Sequence, residues 1–243
     1  MAWIEVGNDI FCIRYEPLDQ TIGAIRTGEG VVAIDSRSHR VHAGELLEDL
    51  RALDANAPIY LINTHYHWDH SFGNDQFAES VIVGHTRTRD ALVTRGVQMR
   101  DELVTEDWLR PETAKLISEV QIVPPTITFE SSMSLSLGDR QINMTYLGRA
   151  HTDSDIVITV DEVLYAGDLI EVGAPPSFGD SFPAEWGETL GRVASMCGGP
   201  VVPGHGDVVD RAFVESQTDE IRRAVGGESV YADDVMAVIA ERM

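Results

Sequence analysis

Residues 63–74 read Asn63-Thr64-His65-Tyr66-His67-Trp68-Asp69-His70-Ser71-Phe72-Gly73-Asn74, or NTHYHWDHSFGN, and positions 65–70 alone carry three histidines and an aspartate. The stretch follows an apolar run, IYLI at 59–62, with the composition of a buried strand. In extended backbone, side chains two apart project to one side, so His65 and His67 face together. Asp69 and His70 fall where the chain turns into a helix. Burying three imidazoles and a carboxylate side by side is costly without a cation. Imidazole nitrogen and carboxylate oxygen together suit zinc, and also iron or manganese. The expectation is therefore two ions, one facing His65 and His67 and the other facing Asp69 and His70.

Two ligands do not hold an ion, so further donors are required elsewhere in the chain. His151 stands in GRAHTDSD after a strand pattern at 142–147, Asp168 ends the strand pattern VLYAGD, and His205 lies in PGHGD after a strand pattern at 200–203. All three lie at the carboxyl end of a strand, where layered α/β folds place functional groups. Glycines beside them, Gly148, Gly167, Gly204 and Gly206, allow sharp backbone turns. Thr64 and Thr152 adjoin ligand positions, where each would either orient the ligand or simply satisfy backbone groups.

Around this constellation the texture is α/β. Short β-branched runs at 31–34, 59–62 and 81–83 alternate with a helical pattern at 41–53, whose apolar positions are 43, 46, 47, 50 and 53. From 127 to 168 strand-like segments follow one another, then come a helical pattern at 185–196, a strand at 200–203 and helices from 210 onward. Residues 87–119 form a charged, helix-prone excursion with Pro111 as a helix start. No low-complexity linker separates the halves, so the reading is one domain over 1–243 with two sheet-containing halves.

The formal charge of −22, from 40 acidic against 18 basic residues of which only Lys115 is a lysine, disfavours nucleic acid as a partner. The first residues, MAWIEVGNDIFCIRY, read as a first strand rather than a signal peptide, and no apolar run approaches the roughly 20 residues a membrane span needs. Two cysteines, Cys12 and Cys197, fit a reducing compartment, with Cys12 a buried inert thiol. A cytoplasmic location is the expectation.

In the order of its motifs, the chain resembles the metallo-β-lactamase superfamily over nearly its whole length. The HxHxDH signature stands at His65, His67, Asp69 and His70, and later ligand positions match His151, Asp168 and His205. The resemblance implies a four-layer αββα sandwich with the metals at one edge between the two sheets. It implies that His65, His67 and His151 hold the first metal and Asp69, His70 and His205 the second, with Asp168 bridging. The cofactors would be two divalent ions, zinc before iron or manganese. Asp168 in YAGDLIE is similar to the glyoxalase II and lactonase branches rather than to the true β-lactamases. The chain lacks the basic residues of the former, and has Leu169 and Ile170 where acyl-homoserine lactonases have a tyrosine.

The implied activity is hydrolysis of a small carbonyl ester, thioester or lactone by a hydroxide shared between two ions about 3.5 to 4 Å apart, with Asp69 orienting it and passing a proton to the leaving group. The alternatives are a mononuclear iron enzyme of the persulfide dioxygenase type and a β-lactam hydrolase. For the substrate wall the sequence offers Trp68, His85 at the end of VIVGH, and Phe178, Phe182 and Trp186 in the connection that follows Asp168. The same aromatics would equally serve to anchor that connection to the core. His39 and His42 open a helix and are expected on the surface.

Overall fold

The computed structural model of the protein describes residues 2–243. Its first strands are β1 (Ile4–Gly7), β2 (Ile10–Tyr15), β3 (Gln20–Thr27) and β4 (Gly30–Ile34), followed by helix α1 (Arg40–Leu53) and β5 (Ile59–Ile62). Next come α2 (Trp68–Ser71), β6 (Val81–His85), α3 (Thr86–Leu103), α4 (Pro111–Ser118) and β7 (Ile127–Phe129). The remainder is β8 (Ser132–Leu137), β9 (Arg140–Tyr146), β10 (Ile156–Val160), β11 (Val163–Glu171), α5 (Pro183–Met196), β12 (Val201–His205), α6 (Arg211–Val225) and α7 (Asp233–Arg242). Among the described residues, no helix is long and apolar enough to cross a membrane.

The chain divides into two compact units. One comprises Ala24–Glu130 with Leu137–Arg140, and the other the segment ending at Gly23, Ser131–Ser136 and Gln141–Met243. In the unit of Ala24–Glu130, β4, β5, β6 and β7 are parallel neighbours, in register at Val31 with Ile59, Tyr60 with Val81 and Val83 with Ile127. Every residue of β4 is buried, as expected of a parallel strand covered on both faces. Helix α1 lays Ala43, Leu46 and Leu50 into this core, on the periodicity read from the sequence.

His39 departs from its expected surface position. It is buried and serves as the N-cap of α1, its Nδ1 accepting from the amide of His42 at 3.4 Å. A helix start needs an acceptor for its first amides, and here an imidazole supplies it. The rings of His39 and His42 stack at 3.9 Å. Burial, with the Arg37 charge beside it, pushes His42 down to about 3.

The excursion at 87–119 folds as α3 and α4, with Pro111 in the first turn of α4. Its buried face, Ala91, Leu92 and Ile117, clusters with Tyr66 and Phe72, so the helix pair packs onto the histidine-rich loop.

The other unit carries a mixed sheet. β1 pairs with β2, β2 with β3, and β3 meets β12 antiparallel at Gln20 and His205. β12 lies parallel to β11, which continues antiparallel to β10 and β9, and then to β8. The first residues form a hairpin and not one strand: Asp9 takes φ +58, a left-handed conformation that aspartate tolerates, and reverses the chain. Cys12 is buried on β2, and burial raises its thiol to about 11, which keeps it protonated and inert as expected. Helices α5 and α6 cover the sheet, with Trp186, Leu190, Val193, Val214 and Ile221 at the centre of the core.

Candidate metal centre

The loop at 63–74 is held before any ion is considered. Asn63 and Asn74 pair through their amides at 3.1 and 2.8 Å, Asn63 Nδ2 donates to the carbonyl of His70 at 3.2 Å, and the Ser71 hydroxyl donates to the carbonyl of Tyr66 at 2.8 Å. Buried amides and hydroxyls of this kind fix a loop because each left unpaired would be costly. Within it a nitrogen of His65 and one of His67 lie within 4.8 Å of each other, and the same holds for donors of Asp69 and His70. His65, His70 and Asp69 are buried, and His67 is half-buried.

A residue that sequence reasoning missed organises this cluster. Asp35 follows β4 and is buried, with φ +68. Its Oδ1 accepts from the amide of Thr64 at 2.7 Å, and its Oδ2 accepts from the Thr64 hydroxyl and from His70 Nδ1, each at 2.8 Å. Thr64 Oγ1 in turn lies 3.0 Å from His65 Nδ1, so with its own proton given to Asp35 it accepts from that nitrogen. One carboxylate thus fixes the ring orientation of His70 directly and of His65 through Thr64. The available signal was an aspartate at the carboxyl end of a predicted strand, the criterion that picked out Asp168.

The second cluster lies wholly in the unit of Gln141–Met243. His151 Nε2 and His205 Nε2 stand 3.5 and 3.4 Å from Asp168 Oδ2. The opposite nitrogens are engaged by backbone, His151 Nδ1 donating to the carbonyl of Ser177 at 3.2 Å and His205 Nδ1 to that of Leu18 at 2.9 Å. The edge of β3 secures the latter, because Gly206 donates to Asp19 at 2.9 Å and the Thr21 hydroxyl to Gly206 at 2.6 Å. Thr152 does not touch the His151 ring through any of these bonds. Its amide and hydroxyl, each 2.7 Å from the Asp155 carboxylate, close the turn that carries His151.

Both clusters fit divalent ions. In His65, His70, His151 and His205 the Nδ1 hydrogen is committed to an oxygen, which leaves Nε2 with the lone pair a metal requires. At Gly204 a Cβ would stand 1.8 Å from Asp168 Oδ1, so glycine there cradles the carboxylate. Imidazole nitrogens with buried carboxylates are a donor set for zinc or a similar ion.

The residues expected to wall a substrate are placed as follows. Trp186 is fully buried and Phe178 nearly so. Trp186 donates to the carbonyl of Leu169 at 3.3 Å, and its ring backs His151 at 5.6 Å and Phe178 at 5.1 Å. Phe182 is half-buried under the Arg149 guanidinium. Trp68 is half-buried in the cluster of Tyr66 and Phe72, 6.1 Å from Trp108. His85 uses both ring nitrogens on backbone: Nδ1 accepts from the amide of Arg87 at 3.2 Å and Nε2 donates to the carbonyl of Glu130 at 2.9 Å.

A fold of this kind with these two histidine and aspartate clusters defines a metal-dependent hydrolase. Residues 15–205 match the family described as the metallo-beta-lactamase superfamily, and the chain belongs to it. It is similar to the Metallo-beta-lactamase type 2 of Bacillus cereus, 24% identical over 228 residues that make up 91% of this chain and 79% of that one. It is also similar to the human Acyl-coenzyme A thioesterase MBLAC2, 29% identical over 192 residues covering 70% of this chain and 66% of that protein. Among solved structures, the metallo-beta-lactamase from Pontibacter korlensis superposes with a TM-score of 0.72 at 18% identity, covering 90% of this chain and 98% of that one. The expected metallo-β-lactamase fold is therefore borne out.

Proposed function

We propose that the protein is a dinuclear metal hydrolase cleaving a small, uncharged carbonyl ester, thioester or lactone. In this reading His65, His67 and His151 would hold one divalent ion and Asp69, His70 and His205 the other, with the Asp168 carboxylate available to both. The observation that carries it is the shared orientation of four histidines, each with Nδ1 tied to an oxygen and Nε2 left as the donor. Neither cluster alone offers a full shell, and each is of the type the other needs.

Bound divalent ions supply Lewis acidity for the carbonyl and lower the pKa of a water enough to give hydroxide near neutral pH. The chain's own residues supply position and proton transfer. Asp69, 8% exposed with Oδ2 at 3.5 Å from His70 Nε2, orients the attacking water, accepts its proton and delivers it to the leaving group. Asp35 and Thr64 keep the imidazoles from rotating, and Trp186 excludes water from behind His151.

Substrate class follows from charge. A net charge of −22, with Glu171 Oε1 at 3.8 Å from His151 Nδ1, offsets the charge of the two ions and disfavours polyanionic substrates. The likeness to a protein named as an acyl-coenzyme A thioesterase supports the thioester limb of the reading, and the charge argument favours acyl thioesters without phosphates. The test is a panel of aryl esters, short acyl thioesters, lactones, acyl-coenzyme A and β-lactams, run with the metal content measured. Turnover of neutral esters, thioesters or lactones, lost in Asp69→Asn, is expected. Turnover of β-lactams alone, or of none of the panel by metal-loaded protein, overturns the proposal.

A further inference from the structure

Away from the Nε2 side of His151, the unit of Gln141–Met243 contains a cavity of about 260 Å³ between the connection at 173–176 and the face of α6. Its polar lining comes from Glu171, Ser216, Gln217, Glu220 and Tyr231. Two of these groups lack partners among the described residues. Gln217 is 4% exposed and its Nε2 donates to the carbonyl of Glu171 at 2.9 Å, but its Oε1 is buried with no hydrogen bond, and so is the hydroxyl of Tyr231. A buried amide oxygen left unpaired is costly, which favours an occupant of the cavity that donates to it.

The character of the lining says what that occupant is. No lining residue is basic, and two glutamates border the space. Gln217 Oε1 can only accept, so the ligand must donate. Phe213 and Tyr231 add aromatic rings, and Ala174, Pro175 and Pro176 add apolar surface. Burial and the Glu220 charge push the Tyr231 hydroxyl up to about 12, so it remains a protonated phenol. Acceptors, carboxylates and aromatic faces around a small apolar space are the recognition chemistry of an organic cation.

We infer that this cavity is a binding site for a small organic cation, an alkylammonium or alkylguanidinium, whose N–H groups donate to Gln217 Oε1 and Glu220 while its alkyl stem lies against Pro175 and Pro176. The site is separate from the hydrolytic centre and independent of the reaction assigned there. It does adjoin that centre through the connection at 171–177. Glu171 borders the cavity and its Oε1 accepts from the amide of Ser177 at 2.8 Å, while the carbonyl of Ser177 accepts from His151 Nδ1. An occupant therefore stiffens the segment that holds His151.

Calorimetric titration of the full chain with n-butylammonium chloride and n-butylguanidinium chloride, against 1-butanol as the uncharged counterpart, tests the site without reference to activity. Saturable binding of both cations and none of butanol is expected. Weakening by about tenfold is expected in Glu220→Gln, which removes a charge from a half-buried position, and in Gln217→Leu, which removes the buried acceptor, with melting temperatures recorded for both. The inference is overturned if neither cation binds saturably, if butanol binds as tightly as the cations, or if the folded Glu220→Gln protein binds them as tightly as the parent.

Discussion

Replacing Asp35 by asparagine tests whether the histidine cluster is held in place before metal arrives. The substitution keeps the side-chain volume and one acceptor oxygen, but the native carboxylate receives three hydrogen bonds, from the Thr64 amide, the Thr64 hydroxyl and His70 Nδ1. With the amide NH₂ at the Oδ2 position, two of those donors face another donor. Flipping the amide restores them and opposes the Thr64 amide instead. Each buried donor deprived of its acceptor costs about 1–3 kcal/mol, so the favoured, flipped orientation of the new amide, which opposes one donor, costs about 1–3 kcal/mol. For a chain of this size that lowers the melting temperature by roughly 2–12 °C in calorimetry of chelator-stripped protein. Because Asp35 also sets the rings of His70 and, through Thr64, His65, zinc affinity measured against a chromophoric chelator should fall about 10–100-fold in Asp35→Asn. A variant that melts within about 1 °C of the parent and binds zinc equally well refutes the positioning role.

Three further outcomes are expected. Gly204→Ala places a methyl 1.8 Å from Asp168 Oδ1, so the carboxylate must move, and elemental analysis after dialysis should show fewer ions per chain than in the parent; unchanged content contradicts the cradle. With its thiol raised to about 11, Cys12 should resist a thiol-specific disulfide reagent at pH 8 until the protein is denatured, so that the half-buried Cys197 reacts first; prompt labelling of Cys12 in the folded protein contradicts this. His42 is lowered from 6.5 to about 3 in the fold, so the unfolded chain takes up a proton there at higher pH than the folded one. Stability should therefore fall as pH drops from about 6.5 towards 3, and His42→Gln should make the decline in urea midpoint shallower; an equal decline contradicts it.

The strands β4, β5 and β6 were legible because a parallel strand covered on both faces is a short uninterrupted apolar run. Helix α1 was legible because one face repeats at helical spacing. β3 was not, since QTIGAIRT mixes polar residues with a glycine and one of its pairing partners, β12, is remote in sequence. The donor set stood out because histidines and aspartates repeatedly follow predicted strands. Asp35 obeyed the same rule but stood alone, with its partners Thr64 and His70 some thirty residues on, and only the fold joins them. His39 escapes a sequence reading for a related reason: its burial comes from capping α1, and an imidazole is not among the usual capping groups. The aromatics of the connection after β11 show the limit of composition. Phe178 and Trp186 look alike in a loop and at a wall, and their burial, Trp186 against His151 and Phe178 against Trp186, is a tertiary property.

In the proposed dinuclear centre the seven histidines and aspartates serve two ions at once. Metal analysis of protein purified without added metal tests it directly. A dinuclear centre requires about two divalent ions per chain, falling to about one in Asp168→Ala together with loss of hydrolysis. A single iron per chain in the parent, undiminished in Asp168→Ala, would contradict it.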